Sequence, residues 1–308
     1  MTELRKHFTV AEANTFFILL AVLFLTVGGY VQSRELISGF LITEYGIMLL
    51  PVLLYTIIKK KEVVSIYRLK RLPLKAIMKI MGLAALLLPI IAVANLLTIF
   101  IIELFGTSIV SPIPTATSFT EFILLFFVIA VSAGICEEFF FRGPILSAYE
   151  SEVGRKWGAI FSGLLFGIFH FNPQNLLGPI ILGVVFSYLV QVTGSIFAGV
   201  VAHITNNGIA VTMGYLTSNV GQSELSALQE NQLIFDSPGV ILGVMGFYLI
   251  VGLVCFSGIK RLLKSINRQF VDEPIWDQSP LNLEYKHYLP IGLSVVIYFL
   301  IIYLAYFS

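Results

Sequence analysis

The sequence is short of charge. Only 12% of its 308 residues are Asp, Glu, Lys or Arg, where an ordinary soluble domain has about a quarter. At the same time 57% are hydrophobic, and mean hydropathy is +0.91. So few charges cannot cover a soluble body of this size. Net charge is +1, so no excess of basic residues points to a nucleic-acid partner. Cysteine is nearly absent: Cys136 and Cys255 both sit in apolar runs, which excludes a disulfide framework and a Cys-based zinc site. No H-E-x-x-H is present, and no internal repeat or low-complexity segment is visible.

Present instead are apolar runs of the length that spans a bilayer, about 20 residues. Nine are read, over 14–31, 36–58, 76–105, 119–146, 157–171, 176–191, 195–213, 239–257 and 289–307. The expected fold is all-α: a polytopic transmembrane helix bundle of eight or nine spans in a cell membrane. The chain divides into N-terminal helices with a basic cytoplasmic loop (1–117), a compact core bundle (118–213), and C-terminal helices with a polar loop (214–308). The basic start, Met1 to His7, and the apolar run from Thr15 resemble a signal peptide. Gly28 to Ser33 offers no A-x-A cleavage site, so an uncleaved first helix is expected.

Lys and Arg cluster in Lys59–Lys75 and Lys260–Arg268, which places both loops in the cytoplasm. The loops 106–118 and 214–238 lack Lys and Arg and belong outside. The segment Val63–Lys75 is expected as a plain cytoplasmic loop, with a lipid-binding surface helix as the other reading. The polar segment 270–288 is expected to lie on the membrane surface without chemistry.

A charged side chain at a helix centre costs about 2.5–3.5 kcal/mol on insertion scales, so each one needs a reason. Within 119–213 stand Glu137, Glu138, Arg142, His170 and His203, joined by the polar Asn207. Glu138 and Arg142 are four apart and share a helix face, which suits an ion pair. Glu137 is rotated about 100° away and remains as the free acid. Ala133 and Gly134 are expected to leave room beside it. Gly163 and Gly167 form a G-x-x-x-G face for close helix approach, and Pro173 stops the helix that ends at His170. A turn near 151–154 puts Glu137 and His170 at similar depth, about 23–25 Å along their helices. His203 and Asn207 lie about 14–20 Å from a second turn near Val192–Gly194. The four side chains can therefore meet at one level. Glu44, within the second span, has three readings: a member of this group, a partner of Lys79, or an interfacial residue.

Glu137-Glu138-Phe139-Phe140-Phe141-Arg142 fits E-E-x-x-x-R. Phe166-Gly167-Ile168-Phe169-His170 fits F-x-x-x-H, and His203-Ile204-Thr205-Asn206-Asn207 fits H-x-x-x-N. In this order the motifs resemble the family of CAAX prenyl endopeptidases and bacteriocin-processing enzymes, the Abi or CPBP family of intramembrane proteases. The resemblance covers residues 118–212. It implies a glutamate-type peptidase of membrane-associated, prenylated or secreted peptides that needs no cofactor. In that reading Glu137 and His170 activate water, while His203 and Asn207 hold the oxyanion. The expected partners are a membrane-associated peptide or protein substrate and the lipid bilayer. Three alternatives stand beside it. One is a zinc protease using Glu137, His170 and His203 as a His₂Glu site. Another is a proton-coupled transporter, which the lack of a repeat disfavours. The third is a non-catalytic scaffold or immunity protein.

Overall fold

A computed structural model of the chain describes residues 6–105, 114–219, 238–271 and 288–306, and among these every regular element is helical. Thr9 opens α1 (Val10–Arg34) with a capping box to Glu12. Glu35 breaks the helix in an extended conformation and caps α2 (Leu36–Ile58) by accepting from the Ile37 and Ser38 amides. A five-residue helix, α3 (Val63–Tyr67), ends at Arg68 in the left-handed region. The long α4 (Leu74–Phe105) carries Pro89 inside it.

The apolar stretch Phe119–Phe169 is 51 residues long and folds back on itself. At Gly154 φ is 82°, a conformation glycine adopts without a Cβ clash. The chain reverses there so tightly that a Cβ on Gly158 would lie 2.8 Å from the Glu150 amide nitrogen. This gives two antiparallel helices, α5 (119–153) and α6 (155–169). Phe171 (φ 46°) and Pro173 then turn the chain into α7 (Leu177–Thr193). Gly194 (φ 62°) ends α7 in a left-handed cap and leads into α8 (Ile196–Asn219). α9 (Pro238–Phe270) and α10 (Leu289–Tyr306) complete the chain.

Among the described residues, seven stretches are long and apolar enough to cross a membrane, and Ile291–Leu300 adds a shorter one. With the reversal at Gly154, the described residues hold nine apolar helices, as the sequence leads one to expect. Both predicted turns are found. In lipid, helices associate through close packing more than through hydrophobic burial. The glycines show where: a Cβ on Gly163 would lie 2.7 Å from the Val184 nitrogen, and one on Gly183 would lie 2.6 Å from the Gly163 Cα. α6 and α7 therefore touch backbone to backbone.

Three expectations change. Lys260–Arg268 is not a loop but the continuation of α9, whose basic residues extend the helix past its apolar part. The basic segment Val63–Lys75 is not a plain loop, because it opens with the short helix α3. Its Ile66 and Tyr67 are buried in the core, with the Tyr67 ring against Gly143 and stacked on Phe139. Lys79 does not pair with Glu44; it reaches the Ser265 carbonyl and the Gln269 side chain of α9. Most of the polar segment 270–288 lies outside the described residues.

Two apolar clusters flank the centre. One joins α1, α2, α5 and α6 around Phe17, Phe141 and Phe169. The other joins α4, α7, α8 and α9 around Leu83, Phe186 and Ile259.

Candidate active site

The acidic pair sits on α5 between two stretches of wider, π-type helical turn, Phe126–Ser132 and Phe141–Ile145. Such turns re-aim side chains and concentrate at functional sites. Arg142 stands 3.1 Å from Glu138 (Nη1 to Oε1), and both side chains are 0% exposed. Arg142 also donates from Nη2 to the Gly183 carbonyl at 3.2 Å. Its guanidinium lies 4.5 Å from the Phe166 ring centre, a cation–π contact in a dry setting. Gly199 makes room for the pair, because a Cβ there would collide with the Glu138 carboxylate.

Glu138 has a second partner. His203 Nδ1 lies 2.9 Å from the same Oε1 atom. A carboxylate can only accept, so Nδ1 carries the proton and Nε2 is turned away from Glu138. Nε2 faces Glu137, 4.0 Å from its Oε2. Arg142, Glu138, His203 and Glu137 thus form one line in which basic and acidic side chains alternate. The His203 ring is held between Phe166 and Phe186, with centroid distances of 5.7 and 5.6 Å.

Glu137 keeps 15% side-chain exposure, and its buried Oε2 has no hydrogen-bond partner. It is the freer of the two carboxylates, as helix geometry predicts. Gly134 does not provide its space: the Cβ position of Gly134 is filled by Ile204 of α8, 2.7 Å away. That glycine instead brings α5 and α8 together.

Of the three readings of Glu44, the pairing with Lys79 is not found, since Lys79 is held by α9. The wide turn Ile42–Leu49 packs against Ala133–Phe140. Glu44 is 5% exposed, and its Oε2 lacks a hydrogen-bond partner.

His170 lies at the end of α6. Its Nδ1 is 2.8 Å from the Phe166 carbonyl, so Nδ1 donates and Nε2 is left as the acceptor. Among the described residues no hydrogen bond or ion pair joins His170 to Glu137. The two are linked through the shared neighbours Phe166 and His203. Asn207 donates to the Ile129 carbonyl at 3.0 Å and accepts from Asn206. Asn206, which the sequence does not single out, has a buried Oδ1 without a partner. The second role of Glu138 was also missed; the spacing Gly199 to His203 on α8 is the signal that points to it.

A His₂Glu zinc set requires Glu137, His170 and His203 to converge on one point. Among the described residues no three His, Cys, Asp or Glu side chains form a metal-ligating group. The donor set as placed does not fit zinc, and no chemical step is derived through one.

A polytopic helical membrane protein with a line of buried acid and histidine groups at its centre is the class that fold and site define. Residues 119–209, the segment that carries the acidic pair and both histidines, match the family described as Type II CAAX prenyl endopeptidase Rce1-like. No curated protein and no solved structure matches the chain significantly.

Proposed function

We propose that the chain is an intramembrane endopeptidase that hydrolyses peptide bonds of membrane-associated peptides, prenylated or secreted, with Glu137 as its base. The observation that carries this reading is the contrast within the acidic pair. Glu138 is fully buried and its Oε1 is held by both Arg142 and His203, while Glu137 keeps 15% side-chain exposure and faces the His203 Nε2 with no Lys or Arg paired to it among the described residues; one oxygen of each carboxylate, Oε2, has no hydrogen-bond partner.

In the proposed reaction, Glu137 takes a proton from water as the water oxygen bonds to the scissile carbonyl carbon. His170 Nε2, an acceptor, orients that water. The negative charge on the former carbonyl oxygen is met by the second amide hydrogen of Asn207, the first being bound to Ile129, and by His203 Nε2 in the ring's doubly protonated form, in which Nδ1–H stays on Glu138 and Nε2–H donates. Donors fixed on one rigid helix need no reorganisation as that charge develops, which is typically the largest catalytic contribution. The C–N bond then breaks, and Glu137 passes its proton to the leaving amine. Glu138 and Arg142 act as positioning residues for His203. The coupled equilibrium needs no serine or cysteine nucleophile.

The test is substrate trapping. Peptides retained by Glu137→Gln protein, compared with wild type by mass spectrometry, are expected to include intact substrates absent from wild type. Identical recovery from both proteins contradicts the proposal.

A further inference from the structure

We infer that Asn95, on α4 and outside the matched segment, is a positioning residue for His170: it fixes the turn that follows His170 and so holds the imidazole in place. This rests on the reading of His170 as part of the peptidase site.

Asn95 lies well inside an apolar span, where a polar side chain that finds partners on another helix ties the two together. Both ends of its amide are used. The Gly178 N–H donates to Asn95 Oδ1 at 2.9 Å, and Asn95 Nδ2 donates to Asn175 Oδ1 at 2.8 Å. A backbone N–H can only donate, so the atom facing Gly178 is the oxygen and the NH₂ is left for Asn175. The helix α7 has no side-chain cap of its own. Asn95 supplies one from α4, satisfying an amide of the first turn that has no partner within the helix. Gly178 permits this approach, because a Cβ there would collide with the Asn95 amide. Further along α4, the Thr98 hydroxyl lies 2.8 Å from the Gln174 carbonyl, sharing its one hydrogen with the Asn95 carbonyl at 2.7 Å.

The turn is of a kind that needs fastening. His170 is the C-cap of α6, and Phe171 follows it at once with φ 46°. A bulky residue rarely adopts that conformation, and it persists only where the surroundings over-determine it. The Phe171 ring packs on Phe24 and Phe169, which anchors the side chain. Asn95 and Thr98 anchor the backbone that comes next.

From there the constraint reaches His170 through direct contacts. The start of α7 presses on the end of α6, since a Cβ on Gly167 would lie 3.0 Å from the Leu176 carbonyl. The Gly167 carbonyl accepts from the His170 amide, and the Phe166 carbonyl accepts from His170 Nδ1. Without Asn95, α7 loses its cap and Phe171 is free to leave the left-handed region. The last turn of α6 is then free to fray, and His170 Nε2 loses its fixed aim.

Asn95→Leu keeps the bulk of the side chain and removes both hydrogen bonds. One readout is independent of turnover. The chain has four histidines, so histidine-selective isotope labelling gives few ring signals by solid-state NMR in liposomes. The signals of His170 are identified by their loss in His170→Gln. In Asn95→Leu protein they are expected to move or broaden while those of His203 stay. Unchanged His170 signals overturn the proposal. The second readout is turnover on a peptide recovered by trapping. Here kcat is expected to fall at least about tenfold with KM little changed, as for a misplaced catalytic group. In a His170→Gln background the same substitution is expected to cost nothing more, because Asn95 acts through His170. An undiminished further loss in that background overturns the proposal. Should Asn95→Leu protein not fold, Gly178→Ala breaks the same contact from α7 and Thr98→Val removes the neighbouring one, and both are judged by the same criteria. His170 signals that move while kcat keeps its wild-type value support the positioning role and refute the catalytic reading of His170 alone.

Discussion

Removing the Arg142 guanidinium while leaving Glu138 in place is the sharpest perturbation of the centre. In Arg142→Met the side-chain volume is roughly kept, but Glu138 remains a carboxylate at 0% exposure with His203 as its remaining partner. The Gly183 carbonyl loses its donor and Phe166 its cation. Breaking a buried pair on one side costs about 3–5 kcal/mol, or roughly two to three and a half powers of ten in the folded ratio at about 1.4 kcal/mol each. The double variant Glu138→Met/Arg142→Met removes both charges. Replacement of a whole buried pair by apolar side chains is often neutral or stabilising, so the double variant is expected to recover most of that loss. It is still expected to be catalytically poor, because His203 has lost the carboxylate that orients it. The assay is reversible unfolding in mixed micelles with increasing SDS fraction, followed by tryptophan fluorescence, together with turnover on a trapped peptide. A single variant that unfolds at the wild-type midpoint refutes the reasoning, as does a double variant less stable than the single.

Other consequences follow from the same geometry. Gly199→Ala forces a methyl group against the Glu138 carboxylate and is expected to lower kcat at least tenfold with the protein still folded; unchanged kcat would show that Glu138 does not position His203. Glu44→Gln removes a buried carboxylate whose Oε2 has no partner, so the variant should unfold at an equal or higher SDS fraction while turnover drops, and a destabilised, fully active variant would show that Glu44 serves the fold instead. Gly163→Leu places a branched side chain on the backbone of α7, and the expected outcome is a sharp loss of folded protein in detergent, checked by size-exclusion chromatography. Asn207→Ala leaves the Ile129 carbonyl without its donor and removes one oxyanion contact; a loss of about 10²–10³ in kcat with KM little changed is expected.

Much of this arrangement is legible in the sequence because it depends on local rules. The i to i+4 spacing is enough to pair Glu138 with Arg142. Glycines at 154 and 194 mark the two turns, and the similar distances of Glu137 and His170 from the first turn are what lead the sequence to set them at one depth. Other features depend on which faces meet, which no single helix encodes. That His203 bonds Glu138 rather than standing alone follows from the contact of α5 with α8 through Gly134 and Gly199. Glu44 is buried because a wide turn in α2 packs on α5, and such turns leave no clear mark in hydrophobic periodicity. The length of α9 was underestimated for a simpler reason: its basic end is helical but not apolar, so a hydropathy reading stops short.

The central claim is that Glu137 is the base of a peptidase. Its most direct measurement is turnover by purified Glu137→Gln protein in defined liposomes, on a peptide recovered by trapping, beside its unfolding midpoint. The account predicts at least a hundredfold loss, of the order general-base catalysis supplies, with the midpoint no lower than wild type. A folded Glu137→Gln protein that cleaves at the wild-type rate would contradict it.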